Sequence, residues 1–290
     1  MEASEEKKQL AVQPASVIPA QTSDSPCARS METADVSYVY ALGKIAPRFP
    51  SVSIEKEFAQ ATGRAETAGL TDRQALQTVL SERGNRYLVR QLCWVLTIGG
   101  LETYILVPRD PVDYDLLVEA LRPTSSPMDI DAVIGVRGPI APLEMCNGLM
   151  VPIVAFSQIY SFDRGALIQS IPRPEMITEE EFRPASEELF DRIVQMADNA
   201  GATDEDRALN YAAMRYPAIY ANAAEAFGRS ESLTAVDVRP SKLSSTRKMV
   251  DIIFSYTNRN TDVVSKSFVR VNMEGEFPYL VTKMSPYLDR

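Results

Sequence analysis

Histidine occurs nowhere in the 290-residue chain. Its absence removes the base of Ser–His–Asp and Cys–His nucleophile systems, the imidazole ligands of metal centres, and the side chain that titrates near neutral pH. Cysteine is almost as scarce. Cys27, Cys93 and Cys146 are too few and too scattered for a disulfide framework and suit a reducing cytosol. Positive charge is also in deficit, with 30 Lys and Arg against 39 Asp and Glu, a formal charge of −9 and a pI near 4.8. That balance argues against nucleic-acid binding or a polybasic membrane contact, since both need clustered cations to neutralise phosphates. The first residues carry no apolar stretch of the kind a secretory signal needs, and no segment approaches the length of a membrane span. These absences together predict a cytoplasmic protein with no membrane contact.

What is present suits a globular chain. Hydrophobic residues make up 45% of it, enough for one large core or two small ones. Residues 1–35 contain no aromatic residue and read as a disordered tail or interdomain linker. From Val36 to Arg290 the pattern predicts a single α+β domain. VSYVYAL has strand character. A helix begins near Ser53 with Ile54 and Phe58 on one face. A second opens at Thr71 with Gln74 three residues on, the spacing of a capping box, and carries Ala75, Val79 and Leu80 as its apolar stripe. QLCWVLTI and LETYILV flank Gly99-Gly100, the signature of a hairpin whose two turn residues need positive φ. Asp110-Pro111 caps a short helix, and strands are expected at Asp129–Val136 and Val151–Phe156.

From Thr178 the pattern turns helical. Leu189, Phe190, Ile193, Val194 and Ala197 share a face, with Gly201 placed to terminate the run. Another helix starts at Thr203 with three acids at its positive end, and Pro217 kinks or restarts it. The last stretch alternates as strands: Val250, Ile252, Phe254 and Tyr256; then Ser267, Val269, Val271 and Met273; then Phe277, Tyr279 and Val281. Short polar turns join these into a C-terminal antiparallel β-meander, alongside mixed or antiparallel sheet elements earlier and a helical middle segment. Residues 178–231 hold 12 acids and 5 bases, whereas residues 232–290 hold 6 and 9. The helical layer is acidic and the final sheet mildly basic, so docking between subunits or to a partner stands beside the plainer reading of a solvated surface.

Little catalytic chemistry remains. Ser241-Lys242 and Ser265-Lys266-Ser267 juxtapose Ser and Lys, but adjacent strand residues point to opposite faces. Asp113 with Asp115, and Asp129 with Asp131, have a spacing that shares a strand face, yet capping and turn chemistry accounts for them. Gly135 and Gly138 lack the third glycine or the Lys-Ser/Thr of a phosphate loop. Cys93 and Cys146 are the sharpest candidates. They read as inert core thiols, or as two soft ligands that could form a zinc site completed across a symmetric dimer or by carboxylates. No base is evident to activate Cys146 as a nucleophile.

Four long segments carry a resemblance: YVYALGKIAPRFPSVSIEKEFAQATGRAETAGLTDRQAL, NRYLVRQLCWVLTIGGLETYILVPRD, VIGVRGPIAPLEMCNGLMVPIVAF and SFVRVNMEGEFPYLVTKMSPYLDR. Over about Val36 to Arg290 the chain resembles the C-terminal domain of the cyanobactin (patellamide-type) maturation proteases PatA and PatG, and residues 1–35 look like the linker before it. The resemblance implies a place in cyanobactin biosynthesis beside a subtilisin-like protease or macrocyclase. It supplies no catalytic residue, since none of the Asp, His and Ser motifs of that protease fold is present. The expectation is a non-catalytic accessory domain without a cofactor, dimerising or holding partner domains or precursor peptide. The alternatives are a peptide-modifying enzyme using Cys146 or a carboxylate pair, and a structural dimer clipped by metal through Cys93 and Cys146.

Overall fold

The computed structural model describes residues 36–288 apart from 64–68, 125, 127, 197–198 and 244–246. The linker reading of residues 1–35, and Ala197 of the helical stripe, lie outside the described residues. The order of elements is β1 (Tyr38–Arg48), α1 (Val52–Thr62), α2 (Asp72–Ser81), α3 (Arg86–Gln91), β2 (Cys93–Ile98), β3 (Leu101–Pro108), α4 (Tyr114–Ala120), β4 (Asp129–Ile140) and β5 (Pro152–Asp163). Then follow α5 (Arg164–Ser170), α6 (Glu179–Val194), α7 (Asp204–Arg215), α8 (Ala218–Gly228), β6 (Glu231–Pro240), β7 (Met249–Asn258), β8 (Val264–Asn272) and β9 (Tyr279–Pro286). The fold is α+β, as the sequence pattern predicts.

The first five strands close into a barrel in the order β1-β2-β3-β5-β4. Closure depends on a division within β1, whose residues 38–43 pair with β4 and 44–48 with β2. β3 and β5 are parallel, and the other barrel neighbours are antiparallel. Gly99 and Gly100 take φ of 57° and 85°, as the tight hairpin requires. Alternate β1 residues Val39, Ala41 and Ile45 join Trp94, Leu96, Leu106, Val133, Val154 and Phe156 in one apolar core, shared with α1–α4 through Ala61, Val79, Leu88 and Leu117. The Thr71–Gln74 capping box forms, satisfying both orphan N–H groups. The buried indole of Trp94 donates to the Val89 carbonyl at 2.9 Å, which holds α3 against β2.

The second sheet is an antiparallel meander, β6-β7-β8-β9. One face packs on α6–α8 through Val250, Ile252, Phe254, Val269 and Val271. The expected third alternation is shifted by one residue. Leu280 and Met284 pack inward, while Phe277, Tyr279 and Val281 are exposed. Register shifts in the β8–β9 pairing break the simple two-residue count that a sequence pattern assumes. β6 precedes the strands expected from the pattern, because its mixed, half-buried residues lack a clean alternation.

Candidate functional site at the barrel–sheet seam

Helix α7 lies between the two sheets and is buried on most sides, through Arg207, Ala208, Leu209, Asn210, Ala212 and Ala213. Its N-cap Thr203 accepts from the Asp206 N–H. The outward residues of β1 and β4, Tyr40, Leu42, Ala132 and Ile134, form a further apolar cluster with Tyr211 and Met214 of this helix. Beside it the chain runs along the part of β1 that β2 leaves open. Tyr40 N–H donates to the Gly201 carbonyl at 2.9 Å, and the Asn210 amide donates to the Tyr40 carbonyl at 2.8 Å. Asn210 and Asn199 exchange a reciprocal pair of hydrogen bonds, and the Tyr104 hydroxyl donates to the Ala200 carbonyl. Both backbone groups of Tyr40 on this half-edge are thus met from 199–210 rather than from a strand.

Gly201 has a different task from the one its position suggests. Helix α6 ends at Val194 with Gln195 as its cap, so Gly201 does not terminate it. Its φ is 67°, and a Cβ there would lie 2.3 Å from the Tyr40 carbonyl oxygen. Glycine is required by close backbone approach as well as by conformation.

Arg207 fixes the loop between β8 and β9. Its guanidinium, only 2% exposed, donates to the carbonyls of Met273, Gly275 and Glu276 and to the Asp204 carboxylate, and it sits 5.2 Å from the Tyr38 ring centre. Burial lowers its pKa, and Asp204 offsets part of that effect. From the other side Arg109 grips the Glu276 carboxylate with two hydrogen bonds, and the Ser157 hydroxyl donates to it at 2.7 Å. The loop is therefore tied to both α7 and the barrel. This places Phe277 and Pro278 opposite Tyr40, Ile134, Tyr211 and Arg215, lining a half-open cleft of about 380 Å³.

The expected site residues lie elsewhere. Cys93 and Cys146 are brought together, but as a disulfide, with Cα atoms 5.5 Å apart. This corrects the reading of them as separate core thiols, and it removes them as support for a reducing compartment. The 53-residue separation hides the fact that the 145–148 turn folds over β2 in a cluster with Ile105 and Ala141. Cys146 and Asn147 both take left-handed φ, 52° and 54°, a conformation costing roughly 1–2 kcal/mol per non-glycine residue. A disulfide sulfur is neither a thiolate nor a metal ligand, so the zinc and nucleophile readings both require prior reduction. Among the described residues no group of three or more Cys, Asp or Glu is arranged to hold a metal ion.

The carboxylate pairs are engaged in local structure. Asp115 pairs with Arg86; Asp129 pairs with Arg122 and accepts the Ser126 N–H. Asp131 is buried and accepts from the Ile45 N–H and the Ser161 hydroxyl. Burial raises its pKa despite those bonds. Asp113 lies in the short turn of helix at Pro111–Asp113 that Asp110 caps. Ser265 donates to Glu231, and Ser267 accepts from Asn222 of α8, while Lys242 is exposed beyond β6. Among the described residues no helix is long and apolar enough to cross a membrane.

The model of the PatG domain family matches residues 38–268. The chain belongs to this family. The matched span covers the barrel, the helices and the meander as far as β8, while the 273–278 loop and β9 lie beyond it. A solved structure described as the PatG domain of unknown function superimposes with a TM-score of 0.69 at 20% identity, over 87% of this chain and 98% of that one. At that identity the likeness is one of fold. No curated protein matches the chain.

Proposed function

We propose that this PatG-family chain is a non-catalytic, cytoplasmic accessory domain of cyanobactin biosynthesis that holds precursor peptide beside a subtilisin-like protease or macrocyclase. The observation that carries this reading is the last strand. Among the described residues β9 pairs with β8 alone, and its outward residues Tyr279 and Val281, with Phe277 before it, are 53%, 44% and 48% exposed. An extended peptide adds to such an edge through main-chain hydrogen bonds, with alternate side chains supplying preference.

The sheet face turned away from the helices favours an acidic peptide. Arg239 stacks on Tyr287 and Arg270 on Phe268, with guanidinium-to-ring distances of 5.1 and 5.6 Å. Phe268 and Tyr287 meet edge to face. Arg270 is committed to Asp251 by two hydrogen bonds, so attraction for acidic side chains comes from Arg239 and from Lys283 on β9, set against the exposed Asp237 beside Arg239.

Titration of an acidic leader peptide into the full chain, followed by amide chemical shifts, tests the reading. Shifts confined to β9 and the Arg239 face are expected. A leader that leaves those signals unmoved removes the peptide-holding role. Light scattering on the same sample examines self-association through β9, the homodimer version of the proposal.

A further inference from the structure

The seam cavity is built for a ligand of different chemistry from an extended peptide edge. Its walls are apolar or aromatic: Ile134, Tyr211, Phe277 and Pro278 around the Tyr40 ring. Tyr40 and Tyr211 meet edge to face at 6.4 Å. Two polar groups adjoin this lining. The Tyr40 hydroxyl is sealed from solvent with no partner in good geometry, and Arg215 is the side chain placed to hydrogen-bond it.

The second polar group is Arg215, the one charged residue in the lining. Its guanidinium stacks on Tyr160 at 5.0 Å and donates to the Tyr160 hydroxyl at 3.2 Å, and that hydroxyl donates on to Gln158. These contacts hold the cation in place without neutralising it. Among the described residues no carboxylate pairs with it, and most of its donors remain for a ligand. Burial drives the Tyr40 hydroxyl upward in pKa, so it stays a neutral donor beside a permanent cation.

An exposed cation held against Tyr160 and the aromatic walls beside it define a complementary ligand. We infer that the seam cavity binds a carboxylate carried on an apolar or aromatic body, with Arg215 donating to the carboxylate and the side chain resting against Tyr211 and Phe277. About 380 Å³ falls in the lower part of the roughly 300–1,000 Å³ range of small-molecule pockets. The exposed Phe277 ring then has a partner, and the clamps of Arg207 and Arg109 on the 273–278 loop serve to pre-position it. Tyr40, Tyr211 and Arg215 come from the barrel and α7, so the inference does not require β9 pairing, although Phe277 borders both surfaces.

The test uses the full chain and two matched probes, N-acetyl-phenylalanine and its C-terminal amide, in isothermal titration calorimetry. The acid should bind at least about tenfold more tightly, the size of one charge-assisted hydrogen bond. Arg215→Gln should abolish that preference while leaving the amide's weak binding unchanged. Equal affinity for acid and amide, no heat from either at millimolar concentration, or an acid preference that survives Arg215→Gln each overturns the inference. A pentapeptide ending in phenylalanine then identifies the source of the carboxylate. If it keeps the acid-over-amide preference the site takes peptide C-termini; if only the small acid binds, it takes free apolar acids.

Discussion

The barrel interior and the seam are both buried, but with opposite chemistry. Inside the barrel Val39, Ala41, Leu96, Val133 and Phe156 meet one another, and backbone polar groups are met by neighbouring strands. At the seam the buried residues include Arg207, Asn210 and Asn199, and the backbone of β1 is satisfied by side chains and by an irregular segment. Apolar packing tolerates small adjustments of volume and position. A hydrogen-bonded seam is all-or-none, because removing one partner strands another. The two regions should therefore respond differently to the same kind of insult, and the seam's rigidity is what holds a cavity open between them.

Breaking the disulfide is the largest test on the barrel side. For the 53-residue separation between Cys93 and Cys146, loss of the cross-link should cost about 4 kcal/mol on the chain-entropy estimate. The cost is read from urea unfolding of the Cys93→Ser/Cys146→Ser variant against the oxidised protein. Alkylation of thiols at the moment of cell lysis reports whether the bond exists in the producing cell, and zinc analysis of the reduced protein decides whether the freed thiols bind metal. On the seam side Gly201→Ala should cost roughly 3 kcal/mol, from overlap with the Tyr40 carbonyl and the left-handed backbone. Asn210→Ala should cost about 2 kcal/mol, from the unpaired Tyr40 carbonyl and Asn199 amide. Its effect should add poorly with that of Gly201→Ala in a double-mutant cycle.

Smaller effects sharpen the comparison. Glu276→Gln should lower global stability by no more than about 1 kcal/mol, since Arg109 is 47% exposed and its attraction is screened. It should nonetheless raise hydrogen exchange in the 273–278 loop well above that of β8. The smallest change concerns pH. Burial raises the folded-state pKa of Asp131 above its unfolded value. Between those two values the native state holds the extra proton, so this group's contribution to stability falls as pH rises through the window. Asp131→Asn should flatten that slope, visible in unfolding midpoints measured from about pH 3 upward, with a change below about 1 kcal/mol at neutral pH.

Local signals were legible and long-range closure was not. Gly99-Gly100, the Thr71–Gln74 box and the α7 start at Thr203 each declare themselves within a few residues and form as read, while β7 forms as a strand but is buried on both faces. Division of β1 between two partners, the parallel β3–β5 pairing and the meeting of Cys93 with Cys146 depend on residues about 45 to 100 positions apart, where periodicity carries no information. The short α3 was missed because six residues are too few to show a helical period. No seam residue was singled out for chemistry from the sequence. One clue was present: Arg207 and Asn210, three apart among Ala and Leu, place polar groups on a helix side that small apolar neighbours mark as buried.

The segment that completes β1 has a consequence for the behaviour of the chain in bulk. Gly201 and Asn210 act as a stopper on half a strand edge, occupying one N–H and one C=O that would otherwise offer themselves to any extended chain. Displacing the stopper, by Gly201→Ala or by heat, turns β1 into a template whose flanking residues Val39, Tyr40, Ala41 and Leu42 are apolar without interruption. Partly opened molecules should then recruit one another through β1 well before the barrel core melts. Solutions of this protein would cloud at a temperature set by the seam and not by the core.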